Sequence, residues 1–277
     1  MKMLKCLHLF AGLLFAGSAL AVTPTAVFTD FTGADSAAGI TLGGYTLKAN
    51  GNTVAADGIT ISTNSGVTVE PTSGNANVTV IVKYSGFPST AVANDIALIS
   101  ARVSSGKSNN CGMAVKANDS NKAYTYIGTG FRATSTISGA ANPVVPTAGR
   151  IALSYSAGSG TAIYVGEDGG TLAGGLDGSF KWGGSTLDNI SIGASRDSTW
   201  PATGMKIEKI AVVAGASYLN AAGLAEIAAF DWEFSTRMYN NKLASNSESV
   251  PAGTYGGIVV SGNGYKATKF SAKTQIT

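Results

Sequence analysis

The chain has 277 residues, with 19 Lys and Arg against 16 Asp and Glu, a net charge of +3, one histidine and two cysteines. So even a balance nominates no polyanion, and nucleic acid is excluded as an expected partner. The single histidine, His8, falls in a segment that reads as a cleavable export signal, so the exported chain has no imidazole for a Ser/His/Asp or Cys/His relay or a His-ligated metal site.

Lys2 and Lys5 form a short positive region, Leu7–Phe15 is almost wholly apolar, and Ala19-Leu20-Ala21 is a small-x-small site for cleavage before Val22. A membrane span needs about 20 apolar residues, and Gly17, Ser18 and Thr23-Pro24 interrupt this one. The expectation is a secreted, extracellular or cell-surface protein that loses residues 1–21 and keeps no integral membrane segment. Cys6 goes with the leader and stands too early to be a lipidated cysteine. Cys111 then has no partner within the chain, so the exported protein must be held by its core and not by disulfides.

From here the hydrophobic period is two. Weaker strands fit Ala26–Phe31, Thr41–Leu47, Gly58–Ser62 and Val67–Glu70, followed by the stronger Asn77–Tyr84 and Ile96–Val103. Gly112–Lys116 and Ala123–Ile127 come next, then Arg150–Ser156, Thr161–Val165, Leu187–Ile192 and Lys206–Val213. About a dozen short strands without long helical crossovers predict an all-β antiparallel sandwich over residues 22–234. One helix interrupts them: Asn220 caps a stretch running to about Phe230 in which Leu224, Ile227 and Ala228 share a face. Residues 235–249 are polar and read as a linker or loop. Residues 250–277 return to strand and turn, either to close the sandwich or to begin another β-domain.

From about Asn75 to Phe230 the order of segments resembles the laminin-G-like, concanavalin A-like jelly roll. Val78–Lys83 resembles its opening strand, and Gly149–Tyr155 with Gly158-Ser-Gly160 and Ala162–Val165 resembles its central hairpin. Ser191-Ile-Gly193 resembles the strand ending in "iG", while Met205–Val213 with Leu224–Ile227 resembles the final strand and short helix. The resemblance implies a jelly-roll sandwich and, for most such domains, carbohydrate or protein binding. Two departures stand out: Gly149-Arg150 replaces a tryptophan usual before the central hairpin, and Glu208 stands where the last strand carries an aspartate.

Sugar recognition wants a flat aromatic face for the C–H side of a pyranose and amide or carboxylate groups for its hydroxyls. Trp182 and Trp200 sit in Gly- or Pro-flanked loops, with Asp188, Asn189, Arg196 and Asp197 near enough in sequence to supply the polar grip. The plainer alternative is that either indole plugs the end of the sandwich. Tyr124 and Tyr126 share a face by alternation, which serves either as a second platform with Phe131 and Arg132 or as core. Asn118-Asp-Ser-Asn121 is the densest oxygen cluster for a calcium ion, yet it lacks ligand spacing and reads equally as a turn. No cofactor is called for. Glycoside hydrolysis needs only two carboxyl groups, but the Glu-x-Asp-x-x-Glu strand pattern is absent, and the nearest acids, Asp231 and Glu233, follow the helix.

The leading expectation is therefore a secreted, non-catalytic recognition module whose loops bind a glycan or a cell-surface protein. A structural or adhesive surface component and a glycoside hydrolase with an unrecognised acid pair stand as alternatives.

Overall fold

The computed structural model describes residues 22, 24–103, 110–128, 130–132, 135–139, 142–178, 187–195, 200–233, 253–255 and 258–260. The leader, Trp182, Arg196, Asp197 and the linker at 235–249 lie outside the described residues. The strands are β1 (Ala26–Phe28), β2 (Ile40–Leu42), β3 (Tyr45–Lys48), β4 (Thr53–Ala55), β5 (Gly58–Thr60) and β6 (Val67–Pro71). They continue as β7 (Asn77–Ser85), β8 (Ile96–Val103), β9 (Asn110–Val115), β10 (Ala123–Ile127), β11 (Gly130–Arg132) and β12 (Ser135–Thr136). After β13 (Gly149–Ser156), β14 (Gly160–Gly166), β15 (Leu172–Asp177), β16 (Leu187–Ile192) and β17 (Lys206–Ala214) comes the helix α1 (Ala221–Ala228), then β18 (Gly253–Tyr255) and β19 (Ile258–Val260).

Two antiparallel sheets form a β-sandwich, as the alternating pattern predicts. One has nine strands in the order β12-β15-β14-β13-β7-β17-β5-β4, with β1 beside β17; the other has eight in the order β11-β10-β9-β8-β16-β6-β3-β2. On β7, Val78, Val80, Val82 and Tyr84 enter the core between the sheets, where they join Ile151 and Leu153 of β13 and Ile99, Met113 and Ile190 of the other layer. Residues of the opposite phase on the nine-stranded sheet, among them Ile81, Ala152, Tyr164 and Ala211, form a second apolar layer with Ile227, Phe230 and Trp232. That sheet is buried on both faces, and α1 lies on its outside. Asn220 caps the helix as expected, its Oδ1 accepting from the Gly223 N–H at 3.0 Å.

Two strand expectations need correction. Thr41–Leu47 is not one strand but a hairpin, because Gly43 and Gly44 take φ of +55° and +80°. β15 escapes a pattern reading because Ala-Gly-Gly lacks branched side chains, and a Cβ on Gly174 would collide with the Tyr164 ring on the neighbouring strand. Among the described residues β18 and β19 pair with each other and with no strand of either sandwich sheet. Cys111 is buried in β9, and burial pushes its thiol far above the ordinary range, so it packs as an inert small side chain.

Candidate functional site

The outer face of the eight-stranded sheet differs from its partner, because the segment after β16 folds back over it. The carbonyl of Trp200 accepts from the Ala97 N–H at 2.8 Å, tying that segment to the start of β8. Trp200 has φ +55°, a left-handed conformation that costs a bulky residue about 1–2 kcal/mol. Aromatic packing offsets it: the indole stacks on Phe131 at 5.5 Å and 12° and meets Tyr126 edge-on at 5.5 Å. Tyr124 adds an edge contact to Phe131 at 5.8 Å. Tyr124 and Tyr126 therefore face outward, away from the inter-sheet core, with Tyr126 buried beneath the cluster and Trp200 partly exposed.

Trp200 lines a pocket of about 510 Å³ together with Pro201, Thr203, Asn94, Asp95 and the preceding β7–β8 loop. That loop has no ladder of its own, and Asn121 supplies its hydrogen bonds. Buried and at φ +56°, Asn121 accepts from the Val92 N–H at 3.0 Å through Oδ1 and donates through Nδ2 to the carbonyls of Pro88 and Thr90, both at 2.9 Å. The Asn118 N–H donates to the Val92 carbonyl at 2.8 Å. The oxygen-rich cluster that suggested calcium thus forms a turn that braces a pocket wall. Asp119 accepts from the Tyr124 hydroxyl and pairs with Lys122 at 3.3 Å; the tyrosine bond first, against some desolvation, holds its carboxyl below the usual range. Among the described residues no group of three His, Cys, Asp or Glu is placed to hold a metal. Asp95 accepts from the Ala117 N–H at 2.9 Å through Oδ1, and Oδ2 accepts no hydrogen bond among the described residues.

A smaller pocket, about 240 Å³, lies elsewhere on the same sheet and is lined by Asn50, Thr68, Arg102, Asn189, Ser191 and Ser195 among others. Asn189 on β16 stands opposite Arg102 on β8. Asp188 sits where the β16 register shifts, and its carboxylate lies 3.5 Å from Arg102 Nε. The predicted group is therefore divided: Asn189 lines this pocket, Asp188 pairs with the Arg102 that lines it, and Trp200 lines the larger one.

Arg150 is a residue that sequence reasoning passed over as a mere departure from a family pattern. It is 2% exposed on the outer face of the nine-stranded sheet. Nε and Nη2 donate to Asp168 Oδ1 at 3.0 and 2.6 Å, Nη1 donates to the Ile227 and Ala228 carbonyls at 2.6 and 3.2 Å, and Nη2 also reaches the Phe230 carbonyl at 2.8 Å. A cation here satisfies the C-terminal carbonyls of α1 and opposes its dipole. The rings of Phe230 and Trp232 lie 5.8 and 5.7 Å from the guanidinium, and Trp232 Nε1 donates to Asp168 at 2.9 Å. Burial pushes the Asp168 carboxyl up, but its bonds to Lys83, Trp232 and Arg150 outweigh that and hold it below the usual range. The one available signal was an arginine opening an otherwise apolar strand. Of the acids beside the buried Trp232, Asp231 Oδ1 accepts from the Glu233 N–H at 2.8 Å.

No family model matches the chain, and no curated protein matches it. Similar solved structures include a sialidase from Trypanosoma rangeli at 11% identity and a TM-score of 0.46, covering 66% of this chain and 29% of that one. A protein of unknown function from Shewanella oneidensis MR-1 is similar at 14% identity and a TM-score of 0.42, over 68% of this chain and 85% of that one. A GH54 α-L-arabinofuranosidase follows at 10% identity and 0.42, over 62% of this chain and 40% of that one. The chain spans less than a third of the sialidase, and at these scores no residue or reaction transfers. The expectation of a non-catalytic module is not supported: the solved structures similar to this sandwich include a sialidase and an arabinofuranosidase, a likeness of fold alone. A missing imidazole does not bar such chemistry, since most glycoside hydrolases work with a pair of carboxyl groups.

Proposed function

We propose that this protein acts on carbohydrate, seating a saccharide in the pocket between Trp200 and the β7–β8 loop. One observation carries the reading: the partly exposed Trp200 indole, stacked on Phe131, lines a pocket that also presents the amide of Asn94 and the carboxylate of Asp95. An indole covers the C–H side of a pyranose while amide and carboxylate oxygens take its hydroxyls. Glycoside cleavage belongs to this reading as far as Asp95 Oδ2 supplies one of the two carboxyl groups that the reaction uses; among the described residues no second acid lines the pocket. The laminin-G-like order of segments supports a lectin-type sandwich, and the apolar leader supports export.

The test is a saccharide panel titrated against the full chain, followed by tryptophan fluorescence and calorimetry, beside an assay of aryl-glycoside cleavage. Trp200→Ala should lose binding and turnover together, whereas Asp95→Asn should retain binding and lose turnover. Neutral-saccharide binding that survives Trp200→Ala, or a chain that neither binds nor cleaves any glycoside of the panel, overturns the proposal.

A further inference from the structure

The smaller pocket carries chemistry that the Trp200 site does not use. Arg102 lines it; among the described residues its buried Nε makes no hydrogen bond, and its one contact with an opposite charge is the 3.5 Å pair with Asp188. Opposite Arg102, the side-chain amide of Asn189 makes no hydrogen bond among the described residues. The remaining wall is braced and hydroxyl-rich. Asn50 donates to the Gly66 carbonyl at 2.8 Å and to Thr68 Oγ1 at 3.0 Å, and Ser191 donates to the Ala194 carbonyl at 3.0 Å, which leaves the Ser191 oxygen able to accept. A guanidinium with unspent donors beside an unspent amide is a receptor for an anion that also carries hydroxyl groups.

We infer that this pocket takes the carboxylate of a hexuronate unit; the sugar half of that assignment rests on the carbohydrate reading above. A carboxylate matches one guanidinium fork with two parallel bonds, while Asp188, partly neutralising Arg102, disfavours a dianion such as phosphate. Lys48 and Glu70, from the neighbouring strands, are paired with each other at 2.8 Å and leave Arg102 as the cation that selects. Register places both pockets on one sheet face: Tyr126, Gly112, Ser100, Ser191 and Thr68 follow one another across five strands. Four inter-strand steps amount to about 19 Å, so an acidic sugar at Arg102 and a ring at Trp200 can belong to one oligosaccharide.

Calorimetry of the full chain with D-glucuronate, D-galacturonate and their neutral parent hexoses tests this. The uronates should bind about tenfold more tightly than the neutral sugars, the order that one charge-assisted hydrogen bond supplies. Arg102→Gln should erase that preference, and Asp188→Asn should strengthen it. Thermal melts of both variants should match the parent chain, since each side chain is 35% exposed. Equal affinity for charged and neutral sugars, a preference that survives Arg102→Gln, or inorganic phosphate competing as well as the uronate overturns the inference. Trp200→Ala separates the two sites: uronate selection that persists there isolates the Arg102 pocket, while loss of neutral-sugar binding alone reports on the other.

Discussion

Two arginines stand on the outer faces of the two sheets, and their surroundings differ in what they leave unspent. Arg150 is 2% exposed, with its nitrogens committed to Asp168 and to the carbonyls ending α1. Arg102 is 35% exposed and, among the described residues, holds one ion pair at 3.5 Å. The nine-stranded sheet spends its arginine on sealing itself under a helix and two aromatic rings; the eight-stranded sheet keeps donors for a ligand. A cation with all its hydrogen bonds made is structural, and one lining a pocket with bonds to spare is available for recognition.

The contrast breaks most sharply at Arg150. Arg150→Met should cost about 3–5 kcal/mol, because it strands a partly buried carboxylate and several helix-end carbonyls, and urea unfolding should show it as a lowered midpoint. Asn121→Ala should cost about 1–3 kcal/mol, because it leaves the Val92 N–H and the Pro88 and Thr90 carbonyls without their partner. It should weaken saccharide binding as well, a coupling that Arg150→Met measured at folding conditions should not show. Asp168 adds a pH dependence of definite sign. Its carboxyl is held below its ordinary value, so its contribution is complete above about pH 4 and is lost as pH falls through the folded value. Acid unfolding curves of Asp168→Asn should therefore be flatter in that range than those of the parent chain. Lys48→Ala, breaking an exposed pair with Glu70, should change stability by less than about 1 kcal/mol. A larger loss there would mean that the eight-stranded sheet leans on its surface charges more than the geometry indicates.

Much of the architecture was legible because it is local. Alternation along Asn77–Tyr84 places core residues correctly on β7, and the Asn220 cap marks the start of α1, whereas on β17 a register shift between Ile207 and Lys209 breaks the period and Ile207, Ile210 and Val212 share the core. The Gly43-Gly44 hairpin and the Gly-rich β15 were not, since glycine reports a backbone need without saying which neighbour imposes it. The site was legible only in part. Trp200 and Asn189 line pockets on one sheet and Asp188 pairs with Arg102, but their division between two pockets follows from strand register, and Asn121 was visible only as part of an oxygen-rich cluster.

What the amino-acid order determined alone is a two-layer β-protein with alternating faces and one capped helix, because period and capping are properties of neighbouring residues. Tertiary structure decided which face stays open and which arginine is spent. Arg150 meets a carbonyl 77 residues further along, and Asn121 holds a loop about 30 residues behind it. Such contacts arise from how sheets stack and strands align, and no local pattern encodes them.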